Sequence, residues 1–163
     1  MSYSRLSAVL SAGLLACLIL VAVSPQAAAK NLQKPVFPIG ATYIIANTDA
    51  TTGAFVSRGA ITFHADGTLS VIDSAQGGPT FFFSSQLGTW GFNSKGVLAG
   101  RTIDFDFQPD NDVARVDFTF TFGAKNTISG TVSLHTFPIT GNPLGSGTLA
   151  GTFNFTGYLV PLS

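Results

Sequence analysis

Apolar and polar residues alternate along most of this chain with a period of two. From Ala114 the even positions read Ala114, Val116, Phe118, Phe120 and Phe122, and Arg115, Asp117, Thr119 and Thr121 fall between them. Successive side chains of an extended strand point to opposite faces, so this segment is a β-strand with one apolar face. The same pattern sets Val97, Ala99, Ile103, Phe105 and Phe107 against Thr102, Asp104 and Asp106. It also sets Ile128, Gly130, Val132 and Leu134 against Thr127, Ser129, Thr131, Ser133 and His135. In the last such segment Leu149, Gly151, Phe153, Phe155 and Leu159 oppose Thr148, Thr152, Asn154 and Thr156. Further strands are predicted at 42–47, 55–64, 68–73 and 86–93, which makes about eight.

Turn residues predict how these strands pair. Ala65-Asp66-Gly67 forms a three-residue hairpin loop with Gly67 left-handed, which sets Phe63 opposite Leu69 and Ile61 opposite Val71. Asn93-Ser94-Lys95-Gly96 is predicted as a four-residue loop with Phe92 opposite Val97, and 109–112 as another with Gln108 opposite Val113. Tight connections at 65–67, 93–96 and 123–126 then fall at one end. The connections at 48–54, 74–85, 109–112 and 137–147 crowd the other. The expected fold is all-β: an eight-stranded, antiparallel, up-and-down β-barrel with a closed floor and an open mouth. Gly130 and Gly151, at matching mid-strand positions, are expected to relieve crowding where the closed sheet coils.

The first 29 residues depart from this pattern. Arg5 is followed by an apolar run from Ala8 to Val23, and Pro25 precedes Ala27-Ala28-Ala29. This is the layout of a cleavable signal peptide, with the mature chain starting at Lys30. An apolar run of about 16 residues is short for a bilayer core. Leu14-Leu15-Ala16-Cys17 resembles a lipoprotein cleavage box, but the chain stays apolar after Cys17. The expected organisation is 1–29 signal peptide, 30–40 N-terminal extension and 41–163 a single barrel domain. The expected localisation is secreted or periplasmic, with no membrane association once 1–29 are removed.

Composition narrows the chemistry. Cys17 is the only cysteine, so beyond Lys30 there is neither a disulfide framework nor a thiolate nucleophile or metal ligand. The chain has no glutamate, and its abundance of Gly, Thr, Ser and Phe favours strands and turns over helices. Eight basic residues balance eight aspartates, so nucleic acid is not an expected partner.

The eight-strand meander with Gly88-Thr89-Trp90 resembles the lipocalin or calycin group of small secreted barrels, carried here on the fourth strand rather than the first. That resemblance implies carriage of an apolar ligand and brings Trp90 into the candidate site. The stretch Pro138-Ile139-Thr140-Gly141 to Gly145-Ser146-Gly147, before Leu149-Ala150-Gly151, is similar to the allene oxide cyclase and dirigent barrels. That similarity implies guidance of a cyclisation or coupling in a hydrophobic cavity.

Candidate chemistry is sparse. His64 and His135 fall on polar strand faces and read as solvated residues rather than zinc ligands. Asp104 and Asp106 share a face as a carboxylate pair or calcium site would. The predicted register sets Arg115 opposite Asp106 and Asp117 opposite Asp104, which makes a surface charge ladder the simpler arrangement. Asp110-Asn111-Asp112 begins like a calcium loop but lacks the glycine and distal glutamate, and reads as a turn. Arg101 is the residue that breaks the pattern. It falls on the apolar face opposite Gly88, where its guanidinium is expected to meet Asp73 inside the barrel, either as a structural pair or as a polar anchor for a ligand. The competing arrangements are a bulge that turns Arg101 outward and an Asp73 exposed at a frayed strand end.

The expected function is therefore a secreted or periplasmic barrel that binds a small apolar or anionic apolar molecule without a cofactor or metal. Its site is drawn from Arg101, Asp73, Trp90, Phe105, Phe107 and Phe118. The alternatives are a barrel enzyme of the cyclase or dirigent kind, an outer-membrane barrel with its apolar faces turned to lipid, and a solid structural barrel.

Overall fold

The computed structural model describes residues 40–77, 82–107 and 110–161. The signal peptide, nearly all of the N-terminal extension and Gln108 lie outside the described residues. Eight strands follow in chain order: β1 Ala41–Asp49, β2 Phe55–Phe63, β3 Thr68–Asp73, β4 Gln86–Phe92, β5 Leu98–Phe105, β6 Asp112–Phe122, β7 Thr127–Pro138 and β8 Thr148–Leu159. Each pairs antiparallel with the next. β8 returns to β1, with Tyr43 opposite Leu159 and Asp49 opposite Phe153, so the sheet closes into a barrel. Closure leaves no unpaired strand edge in this sheet.

The β2–β3 hairpin has the expected register, with Phe63 opposite Leu69 and Ile61 opposite Val71, and all four side chains are buried. The β4–β5 hairpin differs by one residue. Asn93 is not part of a four-residue loop. Its N–H donates to the Val97 carbonyl at 2.9 Å, and its Oδ1 accepts from the N–H groups of Lys95 and Val97 at 2.9 and 3.0 Å. The loop is therefore the three residues Ser94-Lys95-Gly96, with Gly96 left-handed (φ 72°). Phe92 lies opposite Leu98, and Gly88 opposite Thr102.

A one-residue slip exchanges the two faces of a strand. In β5 the inward residues are consequently Leu98, Gly100, Thr102 and Asp104, while Arg101, Ile103 and Phe105 face outward. Phe105 is 52 % exposed, Thr102 is fully enclosed and Asp104 is 3 % exposed. The β5–β6 register agrees with this, pairing Asp104 with Ala114, Arg101 with Asp117 and Phe105 with Val113, so Val113 lies opposite Phe105 and not opposite Gln108 as the 109–112 loop predicted. The predicted ladder of Asp104 and Asp106 with Arg115 does not form. Arg115 and Asp117 lie opposite Ile103 and Arg101 instead.

On β1, β2, β3, β6, β7 and β8 the interior positions bury Tyr43, Ile61, Leu69, Phe118, Ile128 and Phe155, while Ile44, Ile72, Tyr158 and, on β4, Leu87 are exposed. At the floor the interior is solid with aromatic rings. Phe63 packs edge-on against Trp90 (5.5 Å), Phe120 (4.9 Å) and Phe122 (5.5 Å), and Phe118 stacks on Phe120 at 5.6 Å. Tyr43, Ile45, Ile61, Leu69, Ile128 and Phe155 complete this core. Two strand glycines make it possible. A Cβ on Gly100 would meet Leu69 at 2.7 Å and Phe120 at 2.9 Å, and one on Gly130 would collide with the Thr119 carbonyl oxygen and meet Phe155 at 2.7 Å. In β8 the register shifts between Leu134 and His135 of the partner strand, which carries Leu149 out of the core to an exposed position.

Outside the barrel, the 139–147 loop is fastened to β6. The Arg115 guanidinium donates to the carbonyls of Pro143 and Gly145, both at 2.8 Å, lies 5.2 Å over the Phe137 ring and bonds Asp117 at 3.0 Å. This clamp buries Arg115 on the outer face.

The two faces of the sheet differ in what substitution costs. Phe120→Ala should destabilise by about 3–5 kcal/mol, because it removes a ring from a closed core. Phe105→Ala, on the outer face, should cost less than about 1 kcal/mol. Urea denaturation of the two variants measures the difference, and equal losses would contradict the β5 orientation.

Candidate functional site

Above the aromatic floor the barrel is hollow. A cavity of about 440 Å³ opens at the end that carries the long connections. Its lower wall is apolar, formed by Val71, Val116, Phe118, Val132, Leu134 and Phe153. Asp73, Asp104, Asp106, Asp110 and Asp112 line its upper part, five of the chain's eight carboxylate side chains, and no lysine, arginine or histidine lines it among the described residues.

These carboxylates are held in different ways. Asp73, at the end of β3, is saturated. Its Oδ2 accepts from Asn47 and Ser57, both at 2.9 Å, and its Oδ1 from the Ala75 N–H at 2.8 Å. It joins the upper ends of β1, β2 and β3. Asp104 projects inward from β5 beside Gln86. The Thr102 hydroxyl donates to Gln86 Oε1 at 3.0 Å, and Gln86 in turn hydrogen-bonds the Asp104 carboxyl group. The other oxygen, Asp104 Oδ1, is buried with no hydrogen-bond partner among the described residues, and so is Asp112 Oδ1.

Burial and the neighbouring negative charge of Asp106 push the Asp104 carboxyl up to about 7, against the smaller opposing effect of the Gln86 hydrogen bond. Asp106 is likewise pushed up to about 7, by burial, by a hydrogen bond with Asp112 and by the charges of Asp112 and Asp110. Removing a carboxylate from water disfavours its charged form, and a second carboxylate nearby adds to the effect. Near neutral pH this mouth therefore holds protons that isolated aspartates would release.

The sequence-predicted site divides. Asp73, Phe107 and Phe118 line the cavity. Arg101 does not: it lies on the outer face with its Nε 2.5 Å from Asp117 Oδ1, and the expected inward pair with Asp73 is replaced by this exposed ion pair. Trp90 belongs to the floor, where its Nε1 donates to the His64 carbonyl at 3.1 Å. Phe105 faces outward. The cavity residues missed from sequence are Asp104, Asp106, Asp110, Asp112 and Gln86, with Asn47 and Ser57 behind Asp73. The signal for Asp104 was present, since His64-Ala65-Asp66-Gly67-Thr68 and Asn93-Ser94-Lys95-Gly96-Val97 form the same three-residue turn. Neither histidine reaches the cavity: His64 Nε2 lies 2.9 Å from Ser70 Oγ, and His135 lies beside Asp117 on the outer face. Among the described residues no three His, Cys, Asp or Glu side chains are grouped as metal ligands.

Comparison of the chain with protein-family models, with curated proteins and with solved structures gives no match. The cavity itself is what bears on function.

The raised carboxyls make stability depend on pH. Between about pH 4 and pH 7 the folded chain keeps protons on Asp104 and Asp106 that the unfolded chain has lost, so stability falls as pH rises through this window and levels off above it. Asp49 and Asp66 have carboxyls held below the usual range by turn hydrogen bonds from Thr52 and Thr68, and they act only below this window. Asp104→Asn should flatten the dependence and stabilise the protein at pH 8 by on the order of 2–4 kcal/mol. Urea midpoints at pH 5 and pH 8 test this; identical midpoints for both proteins at both pH values would contradict it.

Proposed function

We propose that the chain is an exported binding protein that holds a small, mostly apolar molecule in the cavity at the barrel mouth. The observation that carries the reading is the division of the interior: a floor packed with aromatic rings beneath an open, apolar-walled space of about 440 Å³. A barrel required only for its shape has no need of this space, and empty apolar volume in a core costs stability. The size lies within the range of pockets that enclose small molecules. In its closed floor and open mouth the arrangement is similar to that of the lipocalins, and Trp90 stands at the floor. Export is supported by the basic, apolar and small-residue segments of residues 1–29 and by the lack of cysteine after Cys17.

A neutral, environment-sensitive hydrophobic fluorophore should bind the protein with one-to-one stoichiometry, and Leu134→Trp, which fills the cavity from its wall, should weaken that binding at least tenfold. Unchanged binding by a folded Leu134→Trp variant would place the probe elsewhere. The exported protein should begin at Lys30, which N-terminal sequencing reads directly.

One observation favours a second reading, a barrel enzyme of the cyclising or coupling kind. Carboxyl groups that titrate near neutrality in an apolar cavity are suited to general acid–base work. Chemical conversion of a bound compound, lost in both Asp104→Asn and Asp106→Asn, would distinguish this reading from reversible binding.

A further inference from the structure

We infer that the cavity selects a molecule with a protonated amine or quaternary ammonium group at the end of an apolar body, the cation lodging among Asp104, Asp106 and Asp112. The inference rests on the binding function proposed above and names the ligand class for the same cavity.

Asp104 is the first support. Its side chain is almost wholly buried, yet Oδ1 has no partner among the described residues, and it lines the cavity. A buried carboxylate oxygen left unpaired is costly, and a donor from a bound molecule would remove that cost. Asp73 provides the contrast within one site. It has three hydrogen bonds from the protein and is already satisfied, so the open acceptors belong to Asp104 and to Asp112.

The distribution of charge is the second support. Five of eight aspartates line one cavity, four of them on or between β5 and β6, while Arg101 and Arg115 on those two strands are engaged with Asp117 on the outer face. An anionic head group would find five aspartates and no lysine, arginine or histidine among the described lining residues. A neutral ligand could donate a hydrogen bond to these oxygens but would leave their negative charge unbalanced. A bare metal ion would need a set of ligands that the described residues do not group together. An ammonium group carries its own donors or methyl groups and needs no fixed coordination geometry.

Aromatic rings at the rim are the third support. Phe82 and Phe107 stand at the cavity edge with centroids 6.2 Å apart and an interplanar angle of 68°, and both are about half exposed or more (60 % and 48 %). Their backbones are joined by the bond from Phe107 N–H to the Phe82 carbonyl at 2.7 Å. Aromatic faces beside carboxylates are a recurring means of recognising ammonium groups, because ring quadrupole and carboxylate both attract the cation.

The test is competition against the neutral fluorophore by three compounds with the same chain: dodecylamine, dodecanol and dodecanoate, each below its micelle concentration at pH 7.5. Dodecylamine should displace the probe at a concentration at least tenfold lower than dodecanol, and dodecanoate should be the weakest. Asp104→Asn should bring the amine-to-alcohol ratio down toward one, and Asp106→Asn should lower it in the same direction, so the inference does not depend on one variant folding. Displacement by dodecanol or dodecanoate as readily as by dodecylamine would overturn the choice of ligand class and leave apolar binding standing. Failure of the protein to bind the probe or any of the three would instead overturn the binding function itself.

Discussion

The pairing of β4 with β5 decides what the inside of this barrel is made of. Because Asn93 bonds Val97 across a three-residue turn, Leu98, Gly100, Thr102 and Asp104 face inward, and Arg101, Ile103 and Phe105 face out. Gly100 then leaves room for Phe120 in the floor, Thr102 orients Gln86, and Gln86 meets Asp104 at the cavity wall. Pairing one residue over would bring Ile103 and Phe105 inside and move Asp104 to the surface. The barrel would have a larger apolar core and no buried carboxylate on β5.

The register the chain adopts therefore gives up favourable burial. Phe105 could contribute on the order of 2 kcal/mol if enclosed and is instead left about half exposed, while a carboxylate takes an inward position. A fold accepts such an arrangement where a local turn dictates it and where the site uses it. Both conditions hold here. The turn is fixed by Asn93 and Gly96, and the inward carboxylate stands at the only end of the described barrel that is not filled by rings. The outer face carries its own charge cluster of Arg101, Arg115 and Asp117, so the cations of β5 and β6 are held away from the aspartates of the mouth.

Much of the architecture was legible in the sequence because it rests on alternation and turn chemistry. The even positions of β6 and the left-handed glycine of the β2–β3 hairpin carry the correct faces and pairs without further information. The candidate site was legible only in part. In β5 the odd positions are the more apolar, so hydrophobic pattern and turn geometry point to opposite faces, and the turn prevails. Arg101 and Phe105 were drawn inward by that pattern, and Asp104 was sent out. The register of the mouth around Asp106 and Asp112 depends on a longer connection, where no short turn motif fixes the count. In the 139–147 loop, nothing local to the sequence announces that Arg115 will hold its carbonyls, since that contact joins residues 28 and 30 positions apart.

The ionisation of Asp104 is the property on which fold and function meet, because it registers both the inward orientation of β5 and the acidic lining of the mouth. Its side-chain carboxyl ¹³C shift, followed by NMR across pH 3 to 9 in the ligand-free protein, measures it directly. Titration with a midpoint near 7 is the result expected of a carboxyl enclosed in the cavity beside Asp106. A midpoint near 4 would place Asp104 in water, on the outer face, and would contradict both the β4–β5 register and the site built on it.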